Sequence, residues 1–290
     1  MSVATGKGLC ARALRETYRA FRANKTSWIG LTVFLGISGL AMLAPWIAPH
    51  DPIEQHIERR LESSSSTYLL GTDTFGRDVL SRLLWGARIS LIIGTLSILL
   101  AMVVGGGLGI LAGYKGRKID LLIMRVMDVL LSFPILIMGL LIVAVLGPSM
   151  GNLIMAIALT VIPKFARIAR GPTVALRERE FIEACRAMGS SDLRVMGIHI
   201  LPNVLGEVLV MASLWTATAV RIEASLAFIG LGVRPPTPTW GSMIRDGFEN
   251  ILDAPWLSIY PGLCVLALVF SLNLLGDGLR DAADPKLRDG

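Results

Sequence analysis

Residues 89–114 read ISLIIGTLSILLAMVVGGGLGILAGY, 26 consecutive positions without a charged side chain. A helix rises 1.5 Å per residue, so about 20 apolar residues cross the ~30 Å hydrocarbon core of a bilayer. Three more uncharged runs lie around it: Trp28–Ile47 (20 residues), Val129–Pro163 (35) and Trp256–Gly276 (21). The 35-residue run contains Gly147-Pro148-Ser149-Met150-Gly151-Asn152, a turn signal that divides it into two helices. A further run, Val204–Gly232, is interrupted by Glu207, Arg221 and Glu223. The pattern predicts an all-α, polytopic membrane protein with about six transmembrane helices.

Composition excludes the main alternatives. Hydrophobic residues make up 53% of the 290 positions and charged residues 17%, with mean hydropathy +0.63. Soluble domains carry about 25% charge, and disorder requires low hydrophobicity. A net charge of +6 in a soluble protein would suggest nucleic acid; here it has a membrane explanation and no nucleic-acid partner is expected. Twenty of the 28 lysines and arginines fall on one side of the predicted spans and six on the other, which predicts both termini in the cytoplasm. The divisions are a cytoplasmic tail at 1–27, a first span at 28–48, an extracytoplasmic loop at 49–87, and a core at 88–290. The first span starts late and no A-x-A site follows it, so it reads as a retained helix rather than a signal peptide. Cys10, Cys185 and Cys264 are far apart, and His50 and His56 lack further ligand spacing; neither a disulfide nor a metal site is signalled.

The longest cytoplasmic loop, at about 175–202, carries a second pattern. Phe181, Ala184, Cys185 and Met188 fall at i, i+3, i+4 and i+7, one helical stripe. Arg179, Glu183 and Arg186 line another face, where neighbours can pair. Gly189 suits a helix stop, and Ser190-Ser191-Asp192 offers caps for a second short helix at Leu193–Leu201. Pro202 is expected to break the chain before the next span. An amphipathic helix lying on the lipid surface is the bland reading. Small residues at Ala184, Ala187 and Gly189, where a lipid anchor would place Trp, Leu or Lys, favour a docking knob.

The loop resembles the EAA loop of ABC-importer permeases: Glu183-Ala184-Cys185-Arg186-Ala187-Met188-Gly189, then His199-Ile200-Leu201-Pro202. Two positions depart, Cys185 for the second Ala and His199 for the usual Ile. Three further segments resemble the C-type permease subunits of dipeptide, oligopeptide and nickel importers: Leu70–Arg82, Glu223–Gly232 leading into Pro235–Gly241, and Gly276–Asp281 followed by Asp284-Pro285. The resemblance implies the type I ABC-importer permease fold. It also implies a homologous permease partner, two ATPase subunits and an extracytoplasmic binding protein, in the inner membrane of a prokaryote. ATPase coupling would fall on Phe181, Glu183, Ala184, Cys185, Arg186, Gly189, His199, Leu201 and Pro202. This chain has no G-x-x-x-x-G-K-[ST] loop, so ATP and Mg²⁺ are expected on partner subunits, with no cofactor and no catalytic residue here.

Candidate route residues follow from polarity within spans. Glu207, Arg221 and Glu223 are each either functional or explained by a structural ion pair with another helix or by snorkelling to the interface; Arg221 and Glu223 are two apart and cannot pair on one helix. Ser213, Thr216 and Thr218 in the fifth span and Asn273 in the sixth either line a route or bond helix to helix. Arg125 and Asp128 are spaced to pair locally. Gly105, Gly106, Gly107 and Gly109 are expected to allow close packing, and Pro134 and Pro163 to kink their helices. A stand-alone secondary transporter or channel is the alternative class. An intramembrane enzyme would need a nucleophile–base or metal constellation such as HExxH, which the spans lack. Cargo stays open among peptides, nickel chelates, glutathione and metallophores.

Overall fold

A computed structural model describes residues 25–283. Most of the expected cytoplasmic tail, Cys10 and Asp284-Pro285 lie outside the described residues. The helices run α1 (Lys25–Ile47), α2 (Val79–Lys115), α3 (Arg117–Ser132), α4 (Ile135–Leu146), α5 (Met150–Arg177), α6 (Glu180–Ala187), α7 (Asp192–Phe228), α8 (Trp240–Phe248) and α9 (Trp256–Ala283). Among the described residues the only β element is an isolated bridge, Thr72 to Asp78. Helices α1, α2, α5, α7 and α9 are each long and apolar enough to cross a membrane. The third predicted span is a pair, α3 and α4, bent by 92°. Pro134 accounts for the bend: it holds Phe133 extended at φ −85°, ψ 135°, and serves as the cap of α4. Pro163, by contrast, sits inside an unbroken α5, as does Pro172.

Helix α2 starts ten residues before its uncharged run, because Asp78 caps it by accepting from Ser81 N at 2.9 Å. Its first turns, Val79 to Ala87 with Arg82 among them, therefore belong to a helix and not to the loop expected through residue 87.

The α2–α5 contact is the main seam of the core. Lipid tails are as apolar as leucine, so helices associate in a membrane by close packing rather than by a hydrophobic drive. Gly105, Gly109 and Gly113 recur every four residues on one face of α2. A β-carbon at Gly105 would meet Ile162 O, one at Gly109 would meet Ala166 O, and one at Gly113 would meet Thr173. Gly106 and Gly107 differ: nothing lies within 4 Å of where their β-carbons would stand. The sequence expectation of close packing therefore holds for Gly105 and Gly109 only.

At the end of the bundle away from α6, charged residues fold the 49–78 segment onto the helices. Asp73 accepts from Arg77 Nε at 2.7 Å and lies 3.3 Å from Arg82 Nε; Arg77 also lies 3.8 Å from Asp246 on α8. Burial pushes the Asp246 carboxyl above its usual range, opposed by Arg82 and Arg77. Trp240 is buried and donates its indole N–H to Leu83 O at 2.9 Å, fastening α8 to α2.

Gly109→Leu should destabilise the detergent-solubilised protein by about 1–3 kcal/mol or more in a denaturation series. Gly106→Leu, on the open face, should change it little. Equal effects would contradict the seam.

Candidate functional site

The loop after α5 folds as a knob made of α6, Gly189 and the first turns of α7. Gly189 ends α6 in the left-handed region, φ +82°, and Ser190 N returns to Cys185 O at 3.0 Å. Only Ile182 is buried on α6, so it is the anchor. Phe181, Ala184 and Met188 of the predicted stripe face outward, Met188 at 78% exposed, and Leu193 adds a further 79% exposed side chain. An exposed apolar set around a small-residue surface is the form of a docking face.

The second half of the knob differs from the sequence expectation. There is no separate helix at Leu193–Leu201, and Pro202 breaks nothing. One continuous helix runs from Asp192 to Phe228, with a π turn at Val195–Ile200. Within the wide turn Leu201 N donates to Met196 O, an i→i−5 bond. Proline interrupts an α-helix because it lacks the N–H and its ring meets the carbonyl four residues back. The wide turn before Pro202 removes that carbonyl from its path, which is why the helix continues.

Side chains tie the knob to α2. Asp192 accepts from Tyr114 Oη at 2.8 Å and from Lys115 Nζ. Arg186 donates to Tyr114 Oη at 3.2 Å and stacks over the same ring, 4.6 Å from its centroid. Arg186 thus does not pair along α6 with Glu183, which is exposed. Cys185 and His199, the two departures from the EAA pattern, meet each other at 3.7 Å, and His199 lies edge-on to Phe181, 6.4 Å between centroids. Leu201 and Pro202 are exposed on α7. Beneath the knob, Asp120 on α3 is held by Arg170 on α5 at 2.5 and 2.6 Å. Asp128 pairs with Arg167 at 2.6 Å and not with Arg125. Tyr114 escaped the sequence reading because it ends an apolar run, and Asp192 because it read as a cap.

The route candidates separate. Ser213 and Thr216 bond back to Val210 O and Ala212 O of their own helix, at 2.7 and 2.8 Å. Asn273 is exposed on α9 in line with Leu266 and Phe270. Glu223 is fully buried and accepts from Ser90 on α2 at 3.0 Å, with Thr239 its other polar neighbour. No cation pairs with it among the described residues, so the expected ion pair is absent there; a hydrogen bond to a neighbouring helix replaces it. Arg221 is exposed, and its nearest polar partner is the Thr218 hydroxyl at 3.3 Å. Asn203, Glu207, Thr218, Arg221 and Ser225 follow steps of four, eleven, three and four and so share one face of α7. Asn203 and Ser225 were not singled out from sequence, although that spacing was available. Among the described residues, no group of three His, Cys, Asp or Glu side chains is placed to hold a metal ion.

This combination of a helical knob on a bundle of spans agrees with comparison to known proteins. The family described as the binding-protein-dependent transport system inner membrane component matches residues 105–289, more than half of the chain. The chain belongs to this family. The N-terminal TM domain of oligopeptide transport permease C matches residues 13–63. Similar curated proteins include the dipeptide transport system permease protein DppC of Alkalihalophilus pseudofirmus, 40% identical over 274 residues, covering 94% of this chain and 90% of that one. The DppC of Escherichia coli is 42% identical, covering 95% and 94%. The glutathione transport system permease protein GsiD of Pectobacterium atrosepticum is 41% identical, covering 94% and 91%. The MetNI methionine ABC transporter, in an inward-facing conformation, shares the fold at TM-score 0.56 and 19% identity, covering 70% of this chain and 97% of that one. The chain is therefore a multi-pass permease component of an inner-membrane transport system, with the all-helical fold of ABC-importer permeases.

Asp192→Ala should loosen the knob. A hydrogen bond to a charged group contributes about 1.5–3 kcal/mol, less at a half-exposed site, so local opening should rise about fivefold. Limited trypsin digestion should then cut after Arg186 or Arg194 about that much faster; unchanged cutting would contradict the tie.

Proposed function

We propose that this chain is one of two permease subunits in an ATP-driven importer of dipeptides and other short peptides. It would line half of the route and take its drive through the knob. The partners are a homologous permease, two ATPase subunits carrying ATP and Mg²⁺, and an extracytoplasmic binding protein that delivers the cargo. Both termini then lie in the cytoplasm, on the knob side. The chain itself performs no chemistry.

The observation that supports this reading is the knob: an outward apolar face made of Phe181, Ala184 and Met188 on α6 and Leu193 on the first turn of α7, a helix continuous with a span. A force applied there reaches α7 across the Gly189 turn and through the Asp192–Tyr114–Arg186 tie. ATP binding that favours one spacing of two such knobs shifts the population of the states to which they are attached. Relatives named for dipeptide and glutathione transport support a cargo bearing free amino and carboxylate groups. Each such charge costs at least about 2.5–3.5 kcal/mol at the bilayer centre, so the cargo needs a polar route that is never open at both ends.

Gly189 offers a clean test, because no atom lies within 4 Å of where its β-carbon would stand and its φ is positive. In the reconstituted complex, Gly189→Trp should reduce ATP-driven uptake at least about tenfold by blocking the docking face, while the complex still assembles. Gly189→Asn, which tolerates the left-handed region, should retain most uptake. Normal uptake by the Trp variant would refute docking through this knob.

A further inference from the structure

We propose that Arg221 is the residue of the route that grips a carboxylate of the cargo; this rests on the importer reading above and assigns the chemistry of one point along it. Arg221 has no carboxylate within ion-pair distance among the described residues, and its nearest polar group is the Thr218 hydroxyl at 3.3 Å. Glu223, two residues on, points about 200° around the helix, is fully buried and is held by Ser90 on α2. It cannot neutralise Arg221.

Arg221 lies seven residues before the end of α7 at Phe228, about 10 Å along the axis. The side chain is exposed there, on the face shared with Asn203, Glu207, Thr218 and Ser225. The exposed face of α9 through the bundle is made of Ile259, Leu263, Leu266 and Phe270, as lipid or an apolar neighbour requires. A guanidinium exposed on a helix apolar enough to span a membrane turns to water or an anion, since hydrocarbon does not accept it. Its planar fork matches a carboxylate by two parallel hydrogen bonds.

Spacing adds a second constraint. Glu207 lies on the same face 14 residues away, about 21 Å. An extended dipeptide spans about 7 Å. A zwitterion therefore cannot bridge the two: it meets the cation in one half of the route and the carboxylate of Glu207 near the knob. Arg221 acts on the carboxylate end, and Glu207 receives the ammonium end later. Two separated single-charge contacts hold the cargo weakly enough to pass it on.

The test uses the assembled complex in proteoliposomes, with binding protein pre-loaded with a neutral dipeptide, one with an added Asp side chain, or one with an added Lys side chain. Arg221→Gln should lower uptake of the neutral dipeptide about tenfold or more, and Arg221→Lys should keep at least about a third. Arg221→Glu should lower uptake of the Asp-containing dipeptide more than that of the Lys-containing one. Wild-type rates in Arg221→Gln would overturn the proposal. So would a loss equal for all three dipeptides in Arg221→Glu, which signals a structural or lipid-phosphate contact. Failure of Arg221→Gln to assemble, where Arg221→Lys assembles, would place a partner chain's carboxylate on Arg221 and also overturn it. A wild-type complex that imports no dipeptide refutes the cargo reading, and this inference with it, before any variant is compared.

Discussion

The Asp192 carboxylate fastens the knob to the bundle. It takes the Tyr114 hydroxyl and the Lys115 ammonium from the end of α2, while Arg186 from α6 stacks on the same tyrosine. Without that knot the knob would hold to the bundle only through the buried side chains of Ile182, Val195 and Ile200 and its two backbone connections. With it, the knob, α2 and α7 move together. Asp192 is also the first residue of a helix that runs 37 residues without interruption, about 55 Å, past Pro202 and into the membrane. The π turn at Val195–Ile200 is what keeps that lever whole. Irregular turns of this type are common at functional sites, where an unbroken helix with altered register is needed.

The other end of the bundle is closed by charge. Asp73, Arg77, Arg82 and Asp246 join the 49–78 segment, α2 and α8 into one unit, and Trp240 fastens α8 beneath it. Glu223 and Ser90 link α7 to α2 at nearly the same level. The chain therefore has a rigid cap, a rigid knob and a single long helix between them. Packed interfaces of this kind switch between discrete arrangements instead of deforming gradually. Small displacements at the knob can thus become a change of state along α7.

Much of this was legible in the sequence, for definite reasons. Uncharged runs of 20 or more residues locate spans because hydrocarbon excludes charge, and Gly189 marked the turn of the knob because only a residue tolerant of positive φ ends a helix that way. The EAA pattern marked where the exposed knob lies. What escaped depends on which atoms meet across the fold. Pro202 reads as a breaker by local rule, and only the π turn beside it reverses that. Asp128 reads as a partner of Arg125 three residues away, yet Arg167 on another helix reaches it first. Four neighbouring glycines look alike in sequence; their neighbours across the helix separate Gly105 and Gly109 from Gly106 and Gly107. Intramembrane charge marked both Arg221 and Glu223, but one is exposed and the other buried, a difference set by where α2 crosses α7.

The central claim is that the knob and α7 form one lever. The most direct measurement is a pair of spin labels at Met188 and Leu209, both exposed, in the assembled complex with and without ATP. The account predicts that this internal distance stays constant within about 2 Å, because the Asp192–Tyr114–Arg186 tie holds α6 to the continuous helix α7, while the distance from Met188 to the corresponding knob of the partner permease shortens. An internal distance that changes as much as the distance between knobs would contradict it, because the knob would then swing freely and could not drive the helix.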